Sequence, residues 1–235
     1  MMMDKLLEVG FVEVAKEMIL LKSIIYNTMG HTREKKPIAY VTEAKEEAKR
    51  ITEDFIDFAD GVRVMMLIHR SKDGATHSTR HLRMIFTSGV KEFENALGSM
   101  IEEMTRSIIE GLRIYCTMNS RDMKKAIRQF KHDQLDTEDF SEHDQHEFYL
   151  GIKSRFSSAL MRPNCRETSF FLFDVDDPMT LDEALGIFAR CPEKPEIVKQ
   201  YKTKNGWHII TKPFNYTQLE TAIPVQKDGI LLLKY

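Results

Sequence analysis

SFFLFDVDD, residues 169–177, runs four apolar residues, Phe170 to Phe173, straight into a cluster of acids. A short apolar run bounded by turn residues reads as a buried strand. Asp174 and Asp176 are two apart, so a strand sends both side chains to one face. Neighbouring carboxylates repel each other, and a divalent cation between them removes that cost. Mg²⁺ sites built from carboxylates and substrate phosphates use such pairs. The plainer reading is a polar strand end with Asp177-Pro178 as its turn, and D-x-D spacing alone leaves both open.

Downstream, Thr180 with Glu183 three residues later is a capping box opening a short helix. EIVKQYKT (196–203) and GWHIITKPF (206–214) read as a hairpin across Lys204-Asn205-Gly206, since Asn-Gly signals a tight turn. A polar turn or short helix at 215–222 leads to DGILLLKY, a closing strand. Upstream, a helix is expected over about 142–160, and Ser120 caps another running to about Leu135. LRIYCTMN (112–119) is a strand, 91–110 a helix, and VRVMMLIHR (62–70) with RHLRMIFTS (80–88) a hairpin around the turn-rich SKDGATHST. A helix from about Thr42 ends near Gly61. The first thirty residues carry Leu7, Phe11, Val14, Met18, Leu21 and Ile25 on one helical stripe, suited to packing on their own domain or to a partner protein's helix. Helices and strands mix without βαβ alternation. The expected class is therefore α+β with a largely antiparallel mixed sheet and packed helices, split into an N-terminal helical region at 1–60 and an α+β domain at 61–235.

Bulk composition narrows the function classes. The 235 residues carry 34 basic against 36 acidic side chains, so a nucleic-acid surface has to be local. Three cysteines, Cys116, Cys165 and Cys191, are too few and too scattered for a disulfide framework or a Cys zinc site. They fit a reducing, cytoplasmic setting. MMMDKLLEVG has an early acid and no cleavage pattern, and apolar runs fall short of the ~20 residues that span a bilayer, so neither a secretory leader nor a membrane anchor is expected.

Further groups with chemical potential flank the acids. In KTKNGWHIIT, His208 follows a turn glycine, beside Lys202, Thr203 and Lys204. An imidazole near basic groups and backbone donors, opposite two acids, suits a triphosphate. A solvent-facing or satisfied core histidine is the bland reading. Asp228, in QKDGIL, either makes a turn or supplies a third acid to a two-metal site. The order of an apolar strand with D-x-D-P, a short helix, K-T-x-x-G-x-H on a strand, and a later acid resembles the archaeo-eukaryotic primase-polymerase superfamily. Its nearest echo is the polymerase domain of bacterial end-joining ligases. The likeness covers about 169–230, on FFLFDVDDP and KTKNGWHII. It implies an RRM-like catalytic module, Mg²⁺ or Mn²⁺ on Asp174, Asp176 and Asp228, and nucleotide phosphates against His208, with Lys202, Thr203 and Lys204 beside it. Where those ligase-linked domains place Ser and Gly after the Thr, this chain has Lys204 and Asn205.

In SRDMKKAIRQFKHDQL, Arg121, Lys124, Arg128 and Lys131 recur at helical spacing opposite Met123, Ile127 and Phe130. Such a stripe tracks a phosphate backbone or is merely solvated. His69, His77 and His81 around one hairpin, and His143 with His146, lack zinc-site regularity. No phosphate-cradling P-loop or Gly-rich dinucleotide motif is present. The expected function is a metal-dependent nucleotidyltransferase acting on nucleoside triphosphates and on single-stranded nucleic acid or a primer-template. The alternative is a non-catalytic nucleotide- or nucleic-acid-binding accessory or inhibitor protein.

Overall fold

The computed structural model describes residues 38–69, 80–107, 109, 111–135, 150–176, 178–219 and 223–235. The helix expected over the first thirty residues, the loop at 71–79, and His77, His143 and His146 lie outside them. Val41–Tyr235 forms one compact unit. Helix α1 (Ile38–Asp54) belongs largely to it, because Ala44, Ala48, Ile51 and then Phe55 are buried in its main core. Residues 41–60 thus belong to the α+β unit, and the division falls at Tyr40/Val41 rather than near residue 60.

Strand β1 (Val62–His69) and strand β2 (Arg80–Ser88) form the expected hairpin. Helix α2 (Val90–Arg106) buries Phe93, Leu97, Met100 and Ile101 along one stripe. Strand β3 (Leu112–Thr117), helix α3 (Met123–Leu135) and helix α4 (Ile152–Leu160) follow. Then come β4 (Phe171–Asp176), α5 (Leu181–Arg190), β5 (Ile197–Lys202), β6 (Gly206–Thr211), β7 (Val225–Gln226) and β8 (Ile230–Lys234). The helix expected from Ser120 starts at Met123. Asp122 Oδ1 accepts from the Lys125 amide at 3.0 Å, while Ser120 bonds to Thr168.

The class is α+β, with two antiparallel sheets in place of a single one. Their orders are β2-β1-β3-β8 and β5-β6-β4-β7. Strand alternation explains how each is covered. Met65, Leu67, Ile114, Cys116, Leu231 and Leu233 face the main core, which they share with α1, α2, Leu172 and Ile210 of the second sheet. Val64, Met66, Ile68, Tyr115 and Leu232 face the other way, onto Ala126 of α3 and Leu160 of α4. In the second sheet Phe173, Val175 and Ile209 pack under Ala184, Ile187 and Phe188 of α5. Phe173 sits 5.0 Å from the Phe188 ring and 5.8 Å from that of Phe214. Truncating so enclosed a phenyl ring to alanine costs about 3–5 kcal/mol. The even rows of β4 therefore look toward the first sheet, and the odd rows toward α5.

Candidate functional site

β4 holds Leu172, Asp174 and Asp176 on one face. Leu172 is buried in the main core, Asp174 is partly exposed and Asp176 is exposed. The row thus climbs out of the core and ends in carboxylates at the rim. α5 stays where it is because of the expected capping box. Thr180 Oγ1 accepts from the Glu183 amide, and Glu183 Oε2 accepts from the Thr180 amide at 2.7 Å. Those bonds favour the ionised Glu183 carboxylate and hold it below its usual range.

His208 stands directly across from Asp174 in the β4–β6 ladder, and Gly206 across from Asp176. Nε2 of His208 lies 3.3 Å from Asp174 Oδ1. Its Nδ1 lies 2.7 Å from the Tyr201 hydroxyl on β5, which also accepts from the Leu232 amide of β8 at 3.3 Å. The Asp174 amide is satisfied by Pro224 O at 3.1 Å. Burial pushes the Tyr201 phenol well above its ordinary value, and Cys116 and Asp174 nearby add to the shift. Tyr201 therefore stays protonated.

Gly206 has a reason other than its turn. A Cβ there would sit 2.0 Å from the Val175 carbonyl oxygen and 3.0 Å from the Asp176 Cα. Its φ is not positive: the positive values among described residues belong to Gly61, Gly89 and Gly111. Asn-Gly marks the hairpin, but the glycine serves close approach of β6 to β4 rather than a left-handed turn. The turn closes with the Thr203 amide donating to Gly206 O at 2.9 Å. Thr203 is buried, and Lys202 and Lys204 are exposed. Lys202 pairs with Trp207, one pleat from the His208 row. The turn lies at the Asp176 end of β4, so acids and lysines share that end of the sheet.

Asp228 is elsewhere. Arg121 is fully buried and grips it with two bonds, Nη1 to Oδ2 at 2.9 Å and Nη2 to Oδ1 at 2.8 Å. Asn119 joins Phe170 O, at 3.4 Å, to Lys227 O, at 3.2 Å, in the same knot. Asp228 is thus held at the Phe170–Leu172 end of β4, with Gly229 against Leu172, while Asp176 marks the other end. It does not complete a cluster with the other two acids. Among the described residues no three His, Cys, Asp or Glu side chains converge as a metal site. Two carboxylates on one face still fit an Mg²⁺ or Mn²⁺ whose remaining ligands are phosphate oxygens and waters. They do not fit the three-acid, two-metal arrangement expected from the resemblance.

The basic stripe also loses a member. Arg121 precedes α3 and serves Asp228, while Lys124, Arg128 and Lys131 are exposed on the helix. His69 pairs with Arg80 and His81 with Ile68, so the two histidines are not cross-strand partners. Tyr201 is the site residue that sequence reasoning missed. Its signal is an aromatic side chain between Gln200 and Lys202, in the polar second half of the edge strand EIVKQYKT.

No protein-family model, curated protein or solved structure matches this chain. No helix of the described residues is long and apolar enough to cross a membrane.

Proposed function

We propose that the Asp174–Asp176–His208 rim binds a nucleoside triphosphate with Mg²⁺ or Mn²⁺, as part of a nucleotidyltransferase of primase-polymerase type. The supporting observation is the cross-strand pairing of Asp174 with His208, which sets an imidazole and two carboxylates on one sheet face beside a lysine-bearing turn. A divalent cation bound there supplies charge neutralisation for the phosphates. The chain's own groups do the rest. Asp174 and Asp176 hold the cation, His208 Nε2–H offers a hydrogen bond to a phosphate oxygen, and Lys202 and Lys204 add positive charge at the turn. Exposed Lys124, Arg128 and Lys131 give single-stranded nucleic acid or a primer-template a surface to follow.

A second reading is favoured by one observation. Asp228 is locked to Arg121 and leaves two acids where two-metal transfer uses more. On that basis the rim binds nucleotide without transferring it, as an accessory or inhibitor protein would. Labelled-nucleotide incorporation on a primed template with Mn²⁺ separates the two. Incorporation lost in Asp174→Asn supports transfer. Nucleotide binding without incorporation leaves the binding role alone, and neither binding nor incorporation removes both.

A further inference from the structure

From the contacts around His208, we infer that Tyr201 is a positioning residue, which fixes that imidazole in its Nε2–H form with the proton directed at the Asp174 rim. The inference rests on the nucleotide-binding reading for its purpose, though not for its geometry.

Tyr201 reaches the site from β5, directly opposite His208 in the β5–β6 ladder. The rings meet edge to face with centroids 5.1 Å apart, and Phe55 of the segment after α1 makes the same kind of contact on Tyr201, also at 5.1 Å. Packing on two sides leaves the phenol little choice of rotamer. Its hydroxyl takes the Leu232 amide proton on one lone pair. The hydroxyl's own proton then needs an acceptor, and Nδ1 of His208 is 2.7 Å away. A protonated Nδ1 could donate to the phenol oxygen only if the hydroxyl turned its own proton away, and among the described residues no other acceptor lies within hydrogen-bond reach of it. Nδ1 is therefore the acceptor, and the imidazole proton sits on Nε2, 3.3 Å from Asp174 Oδ1. Burial raises the phenol's pKa and so keeps this donor protonated.

The chain Leu232 N–H, Tyr201 O–H, His208, Asp174 consequently joins the edge strand of the first sheet to the carboxylate rim of the second. When Asp174 turns its oxygens to a cation, the same Nε2–H remains to donate to a phosphate. Without Tyr201 the ring can take either tautomer or turn over, and that donor is present only part of the time.

The test uses the full chain and Tyr201→Phe, which keeps the ring and removes only the hydroxyl. Long-range ¹H–¹⁵N spectra report which ring nitrogen carries the proton, and the His208 signal is assigned by its disappearance in His208→Gln. In the wild type the expected result is one Nε2–H tautomer with an unprotonated Nδ1. In Tyr201→Phe the two nitrogen shifts should move toward a common averaged value, while dispersion elsewhere in the spectrum shows the fold retained. Affinity for the Mn²⁺ complex of a nucleoside triphosphate should fall about five-fold, the worth of one neutral hydrogen bond near 1 kcal/mol. An Nδ1–H tautomer in the wild type, or an unchanged Nε2–H tautomer in Tyr201→Phe, overturns the inference. A wild type that shows the tautomer and binds no nucleotide upholds the positioning geometry and removes the nucleotide-binding reading, so the two failures are told apart.

Discussion

At the scale of single residues, two aspartates alike on paper carry opposite duties. Asp228 neutralises a guanidinium with no exposure to water. Removing one partner of a buried pair strands the other charge, at about 3–5 kcal/mol. Asp228→Asn should therefore lower the unfolding free energy by about that much in urea titration. Asp174→Asn should change it by less than about 1 kcal/mol, since an amide oxygen can still accept from His208. Equal losses would mean that the division of labour is wrong. Nothing in QKDGIL distinguishes a turn aspartate from a metal ligand, because the distinction is made by Arg121, 107 positions earlier. A second residue-scale consequence concerns alkali. Burial pushes the Cys116 thiol from 9.0 up to about 12, and Tyr201 is raised as well. Both groups keep their protons in the folded chain at pH values where the unfolded chain loses them. The unfolded state then binds fewer protons, so stability falls as pH climbs from about 9 toward 12. Urea midpoints measured over that window should decline, and Cys116→Ala should flatten the decline. A level profile in the wild type would contradict the burial argument.

At the scale of elements, the local signals carried far. The capping box at Thr180, the strand ending in acids, and the hairpin around Lys204-Asn205 all lie where periodicity and cap chemistry put them. Such features depend on neighbours within a few residues, which a sequence displays. Register does not. The pairing of Asp174 with His208, rather than with either neighbour, is decided by how β4 and β6 slide against each other, and a one-residue slip would send His208 to the α5 face. Gly206 helps to hold that register. An alanine there places a methyl 2.0 Å from the Val175 carbonyl oxygen, and β6 has to move away from β4 to admit it. Gly206→Ala should cost roughly 2–3 kcal/mol as overpacking does. It should also weaken the proposed nucleotide binding, because the strand that moves carries His208. A variant as stable as the wild type would show that the two strands approach less closely than described.

For the molecule as a whole, sequence periodicity identified the mixture of helices and strands but not their partition into two sheets. That partition depends on long-range pairs such as Ile114 with Lys234, which no window of sequence contains. The same limit hid α1, whose scattered charges read as an outlying helix, while Ala44, Ala48 and Ile51 fill the core. On the outer layer, α3 presents Lys124 and Arg128 to solvent while Ala126 and Phe130 are buried. If these cations track a phosphate backbone, replacing both with alanine should flatten the dependence of log K on log salt by about 1.4, at roughly 0.7 for each single-strand phosphate. Alanine leaves the helix intact. An unchanged slope would make the stripe an ordinary solvated face. The rim of β4 is proposed to hold a metal-bound triphosphate. The direct measurement is thermal or urea unfolding of the wild type and of an Asp174→Asn, Asp176→Asn double variant, with and without Mn²⁺ and a nucleoside triphosphate. With the complex at 100 times its dissociation constant, the wild type should gain about 2.7 kcal/mol. That gain should need both metal and nucleotide and should vanish in the double variant. Equal stabilisation of the two proteins, or none in the wild type, would contradict the account.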